Sequence, residues 1–212
     1  GVELQGVHAT HKAYAVSFDA MRGHATFDRH GFDAEQLTVV REGQPGSLNL
    51  RAGGGVRDAR NVFEAELDAQ STAHDLLARV PDLGWLQPHV QGRSRWTVAV
   101  DVPPGGAANH IELRSDLVGT AIDLPAPLAK PAATPWPTVV ALPLPLGTGE
   151  VSVALGRAAS VRARQGSGRT GVQVTLGGQP AGTPPASGLQ VDGHASSLDA
   201  LAWLGVLNAP GG

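Results

Sequence analysis

The 212 residues contain no cysteine, which removes disulfides, thiol catalysis and thiolate metal sites from consideration. Charge is sparse, at 17% of residues, and nearly balanced, for a net charge of −3. So weak a field leaves no electrostatic footprint for nucleic acid, and one Tyr with four Phe offers no platform on which bases could stack. No apolar run approaches the roughly 18 residues that a membrane helix needs, and no signal peptide is recognisable. The chain opens on GVELQGV, already in strand pattern, and so reads as a piece of a longer protein.

What is abundant is Gly (28), Pro (16) and small aliphatic side chains. Val, Leu and Ala suffice for a core, so low charge here does not mean disorder. The mixture favours many short strands separated by turns. Residues 2–18 hold two strands, Asp28–Gly31 is a turn with Gly31 expected at positive φ, and 32–41 and 47–52 continue a meander of hairpins. A further strand, Val62–Ala69, is followed by a helix near 72–80, where Ser71 or Thr72 can cap and Ala73, Leu76, Leu77 and Val80 share a face. Asp82–Gln91 is a short apolar connector around Trp85 and Leu86.

Arg93–Val102 alternates most clearly. It turns at Pro103–Gly106 into a long strand, Ile111–Leu124, whose parity slips at Leu117–Val118, the mark of a bulge. Pro125, Pro127 and Pro131 then make a rigid corner. In Thr138–Leu146, Pro143 and Pro145 occupy alternate positions, which predicts an edge or a strand paired on one side only. Four more alternating stretches follow, and Ser196 or Ser197 caps a final helix, Leu198–Leu207, with Asp199 in its first turn. The fold class expected is mainly β, a strongly curved antiparallel sheet with two short helices. A coarse repeat, strands then helix, divides the chain into a first unit at 1–91 and a second at 92–212.

Candidates for chemistry are few. His8 and His11 are three apart, but the eight histidines mostly sit near turns and read as solvated surface groups, not metal ligands. No G-x-S-x-G elbow occurs; Gly166-Ser167-Gly168 reads as a hairpin turn. Gly53–Gly55 does not follow a strand and open a helix, so it fails the context of a phosphate cradle. Glu64, Glu66, Asp68, Glu112 and Asp116 alternate with apolar residues, as the solvent face of a strand does. Arg157, Arg162, Arg164 and Arg169 form a basic cluster, read as a solvated face or as a contact with lipid phosphates or a neighbouring segment. No enzyme site and no cofactor is expected.

The prominent feature is an apolar face. Trp96, Val98, Val100, Ile111, Leu113, Val153, Leu155, Val161, Val172, Val174, Leu176, Leu189 and Val191 should all lie on one side of the sheet. Two short helices cannot cover so wide a face. Either the sheet folds into a sandwich or closed barrel that buries these residues, or the face stays open as a hydrophobic trough for a ligand or partner.

Three segments carry a family resemblance. SDLVGTAIDLPAPLAKPA (115–132) resembles the most recognisable stretch of the YhdP-type proteins of the AsmA-like (AsmA/TamB) superfamily of Gram-negative envelopes. Arg22–Pro45 is similar to the superfamily's G-x-x-x-F-D-x-x-G-(F/L) element with its following strand and turn. Gly188–Leu204 resembles the strand-then-helix segment that closes such a unit. The resemblance implies a β-groove or half-barrel of repeat units, in a periplasmic protein anchored in the inner membrane by an N-terminal helix outside this sequence. It implies a non-enzymatic role: phospholipid acyl chains run along the thirteen face residues between inner and outer membranes, supporting the outer-membrane permeability barrier. Other partners implied are neighbouring segments of the longer chain, and exposed strand edges could pair with a second copy. The rival is a structural or assembly scaffold that binds a protein and no lipid.

Overall fold

A computed structural model describes every residue except 12–15, 42, 79–80, 107–108, 146–148, 167–168 and 208–212. The strands are β1 (Val2–His11), β2 (Val16–Phe27), β3 (Gly31–Arg41), β4 (Gln44–Gly53), β5 (Phe63–Thr72), β6 (Val90–Val102), β7 (Asn109–Ser115), β8 (Thr120–Ile122), β9 (Thr138–Leu144), β10 (Glu150–Leu155), β11 (Ala159–Gly166), β12 (Arg169–Leu176) and β13 (Gly188–Gly193). They form one sheet in the order β1-β2-β3-β4-β5-β6-β7-β9-β10-β11-β12-β13, with β8 also paired to β6. The sheet is mostly antiparallel and not closed into a barrel. Its ends are β1 and β13.

The helices are short because their signals are local. In α1 (Ala73–Leu77) Thr72 is the cap: its hydroxyl accepts from the Asp75 N–H at 3.1 Å. The expected extension to Val80 reaches residues outside the described set. In α2 (Ala200–Leu207) the cap is Asp199, not a serine: its carboxylate accepts from the Ala202 N–H at 2.9 Å. The connector around Trp85 is a 3-10 helix, Pro81–His89.

Two compact units form: Gly1–Gln70 with Trp96–Leu113 and Pro143–Pro145, and Ser71–Arg95 with Arg114–Leu142 and Leu146–Gly212. In the first, bulges break the β1–β2, β2–β3 and β3–β4 registers, and Gly6, Ala20 and Gln36 adopt positive φ. Each bulge bends its strand. One apolar face closes into a buried cluster of Met21, Ala25, Ala34, Leu37, Val39, Leu48, Leu67 and Ala69, against which Leu4, Phe18, Phe32, Leu50 and Val98 pack.

The other face of this unit is polar. Arg51, only 3% exposed, pairs with Glu35 at 2.5 Å. Loop 54–62 is pinned there by Glu64, whose carboxylate accepts from the Arg57 and Asp58 N–H groups and the Asn61 amide. Burial acts to raise the Glu64 pKa, but these donors hold it below its ordinary value. Gly31 is required here for space and not, as expected, for positive φ: a Cβ would lie 2.4 Å from the Ala52 carbonyl oxygen.

Two sequence expectations change. The strand Ile111–Leu124 is two strands, β7 and β8, because Leu117 and Gly119 both take positive φ between them; both still pair with β6. The proline-bearing strand β9 lies inside the sheet, between β7 and β10, so it is not an edge, although its proline end fits the other expectation in lacking a partner on the β10 side. Its pairing with β10 covers Thr138–Ala141 only, so Pro143 falls beyond that ladder and Pro145 beyond the strand. Missing donors there interrupt no rung to β10.

Candidate functional site

The second unit holds an aliphatic face that spans five strands. Registers between β9 and β13 run without a bulge, and residues directly opposite one another share a face. One row reads Val140, Val153, Val161, Val174, Val191 across five strands. A second reads Val151, Ala163, Val172, Leu189, and a third Leu155, Ala159, Leu176, Gly193. These rows contain no charged or aromatic side chain. With strands about 4.8 Å apart, the valine row is roughly 19 Å wide. Most of its members are half-buried, but Leu189 and Val191 on the last strand are 59% and 55% exposed.

Across β11–β13 the reverse side is polar and covered, while β9 and β10 add exposed Val139 and Ala154 to it. Ser160, Arg162 and Arg164 stand opposite Thr175, Gln173 and Gly171. The connection from β12 to β13, residues 177–187, crosses this side. Ser160 donates to the Gln179 carbonyl and Arg164 to that of Pro184. Gly171 must be glycine, since a Cβ would fall 1.7 Å from the Pro185 carbonyl oxygen. Buried Gln173 and Thr175 donate to the Asp192 carboxylate at 3.0 and 2.7 Å, which clips β13 onto the sheet. Arg162 pairs with Glu150. Two members of the basic cluster are thus engaged with the protein itself.

A second built feature is the proline corner. Lys130 is 2% exposed, and its ammonium donates to the carbonyls of Leu117 (2.8 Å), Thr120 (2.6 Å) and Pro131 (3.1 Å). Three donors meet three acceptors, so the charge is satisfied without a carboxylate in contact. Burial lowers its pKa. The lysine staples the break between β7 and β8 to the segment after it. Thr120 bonds Ser94, and the Trp203 indole of α2 donates to the Ala126 carbonyl at 2.9 Å.

The thirteen predicted face residues fall into two groups. Val153, Leu155, Val161, Val172, Val174, Leu176, Leu189 and Val191 are brought together in the rows above. Trp96, Val98, Val100, Ile111 and Leu113 belong to the first unit. There Trp96 is 9% exposed, with its indole N–H unpartnered among the described residues, and Val98 packs on the buried cluster. Sequence reasoning missed Lys130, because a lone lysine gives no sign that three carbonyls converge on it. It also missed Val140 and Ala163, which register alone adds. Among the described residues no three His, Asp or Glu converge as metal ligands.

An open, mostly antiparallel sheet that displays an aliphatic face and closes a lysine-stapled proline corner defines the class of protein. The model of the family described as YhdP protein matches residues 2–210, and the chain belongs to that family. Membership is consistent with an envelope-associated protein. No curated protein and no solved structure shows a significant match.

Proposed function

We propose that the aliphatic face of β9–β13 binds the acyl chains of phospholipid, as part of a non-enzymatic, periplasmic protein that moves lipid between the two membranes of the envelope. The observation that carries this reading is the rows themselves. Thirteen positions on five strands present aliphatic or glycine surface, and the one polar side chain in register with them, Thr138 opposite Leu155, turns its hydroxyl to the Trp136 carbonyl. A protein partner is held by a mixture of aromatic anchors and polar rim; a hydrocarbon chain needs only apolar area, at about 25 cal/mol per Å². Family membership supports the same reading, since YhdP-type proteins are understood as lipid-conducting segments of the envelope.

Native mass spectrometry of the gently purified chain, with lipid extraction, tests it. Phospholipid should be retained in simple stoichiometry, and Val174→Asp, still folded, should lose it. An apo chain that takes up nothing from added phosphatidylethanolamine–phosphatidylglycerol vesicles would overturn the proposal and favour a scaffold that binds protein.

A further inference from the structure

The two ends of the sheet are protected differently. β1 is interrupted by register shifts around Gly6 and Val7 and carries Glu3 and His8, devices that blunt an edge. β13 has an unbroken register, no bulge, no proline and no basic residue, and all six of its residues are exposed.

Hydrogen-bond parity fixes which groups of β13 face outward. β13 runs parallel to β12, and the His194 N–H donates to the Leu176 carbonyl. In a parallel ladder both backbone groups of a residue point the same way and alternate along the strand. Gln190 and Asp192 therefore bond inward to β12, whereas the N–H and C=O of Leu189 and Val191 point away from it. Among the described residues neither Leu189 nor Val191 has a partner for these outward groups, and these are the residues of β13 that carry the exposed apolar side chains.

We infer that this edge pairs with the same edge of a second copy, antiparallel, about a two-fold axis at Gln190. In that register Leu189 meets the partner's Val191 and Val191 meets the partner's Leu189. Both are hydrogen-bonded pairs, so four backbone bonds form. Gln190 faces its own copy across a non-hydrogen-bonded position. Asp192 stands opposite the partner's Gly188, so like charges are not opposed. An axis perpendicular to the sheet maps each face onto itself, so the aliphatic rows of the two copies join. A shift by one residue would place Leu189 opposite the partner's Gln190 or Asp192, and the outward groups would no longer match in pairs.

The absence of cysteine makes the test clean. At a non-hydrogen-bonded antiparallel position the Cα atoms are about 4.5 Å apart, within disulfide range. Gln190→Cys should cross-link two copies under mild oxidation, faster than Gln179→Cys, an exposed control on the connection behind the sheet. Sedimentation equilibrium of the unmodified chain should show a monomer–dimer equilibrium. Val191→Pro removes an outward donor but none that faces β12, and losing two of the four bonds should weaken the dimer roughly tenfold or more. A chain that stays monomeric at high concentration, or equal cross-linking at 190 and 179, would overturn the inference.

Discussion

The two units build the same two-faced sheet and finish it differently. Each covers its polar side with a connection held by carboxylates, hydroxyls and guanidinium groups: loop 54–62 on Glu64 and Glu35 in the first, and residues 177–187 on Ser160 and Arg164 in the second. The apolar sides diverge. In the first unit Leu37 is 0%, Val39 2% and Leu48 3% exposed; in the second the valine row is half-buried and ends on exposed Val191. Two causes act together. Bulges bend β1–β3, and long Leu, Met and Phe side chains fill the space that bending encloses. From β9 to β13 the register is regular and the side chains are mostly Val and Ala, too short to meet across an open face. Closure of a sheet on itself is thus a matter of bulges and side-chain length, not of hydrophobicity alone.

The contrast can be broken most severely at its closed end. Leu37→Ala should cost about 3 kcal/mol or more, because a fully buried leucine leaves a cavity, while Val174→Ala should cost about 1 kcal/mol or less; thermal unfolding compares them. Val98→Asp should abolish folding of the first unit, whereas Val174→Asp should leave the circular dichroism intact and change only lipid retention. Equal damage at Val98 and Val174 would mean the two faces are closed alike.

Lys130→Met comes next. It strands three carbonyls in a buried corner, at about 1–3 kcal/mol for each that finds no water, so chemical denaturation should show a loss of about 3 kcal/mol. Retained stability would mean the corner stands without its staple.

The smallest effect expected is acid sensitivity of the first unit's polar side. Hydrogen bonds from Arg51 and Arg57 hold Glu35 below its ordinary value, and Asp58 is lowered to about 2, chiefly by its side-chain bond with Arg60. With Glu64 these groups have folded pKa values beneath the unfolded ones, so they stabilise above the ordinary carboxylate range and lose that contribution as pH falls through the lowered values. Asp101 runs the other way: burial, then the Glu64, Glu112 and Asp58 carboxylates, raise it, so its protonation on acidification favours the folded state. The net should still be a decline below about pH 4.5, flatter in Glu64→Gln, measured by urea unfolding at successive pH.

Much of this was legible in the residues. Alternation at 63–69, 93–102, 150–155 and 170–176 announced strands and which residues share a face, because a period of two leaves no other assignment. Eight of the thirteen face residues are gathered by register as the alternation requires. What was not legible depends on partners distant in sequence. Whether Val98 lies open or packed depends on a cluster built from residues 21–69, all at least 29 positions earlier. The interior place of β9 depends on where its partner's ladder stops, and a proline in isolation does not say.

Sequence by itself therefore determined the local chemistry: strands by alternation, the start of α1 by a capping hydroxyl at Ser71 or Thr72, an irregularity at Leu117–Val118, and low charge with no sign of nucleic-acid binding. Only tertiary structure decided which apolar face closes, that β13 runs parallel with its outer groups at Leu189 and Val191, and that Lys130 is buried among three carbonyls. Those outcomes rest on register and bending, which are properties of pairs of strands, and no single stretch of chain contains them.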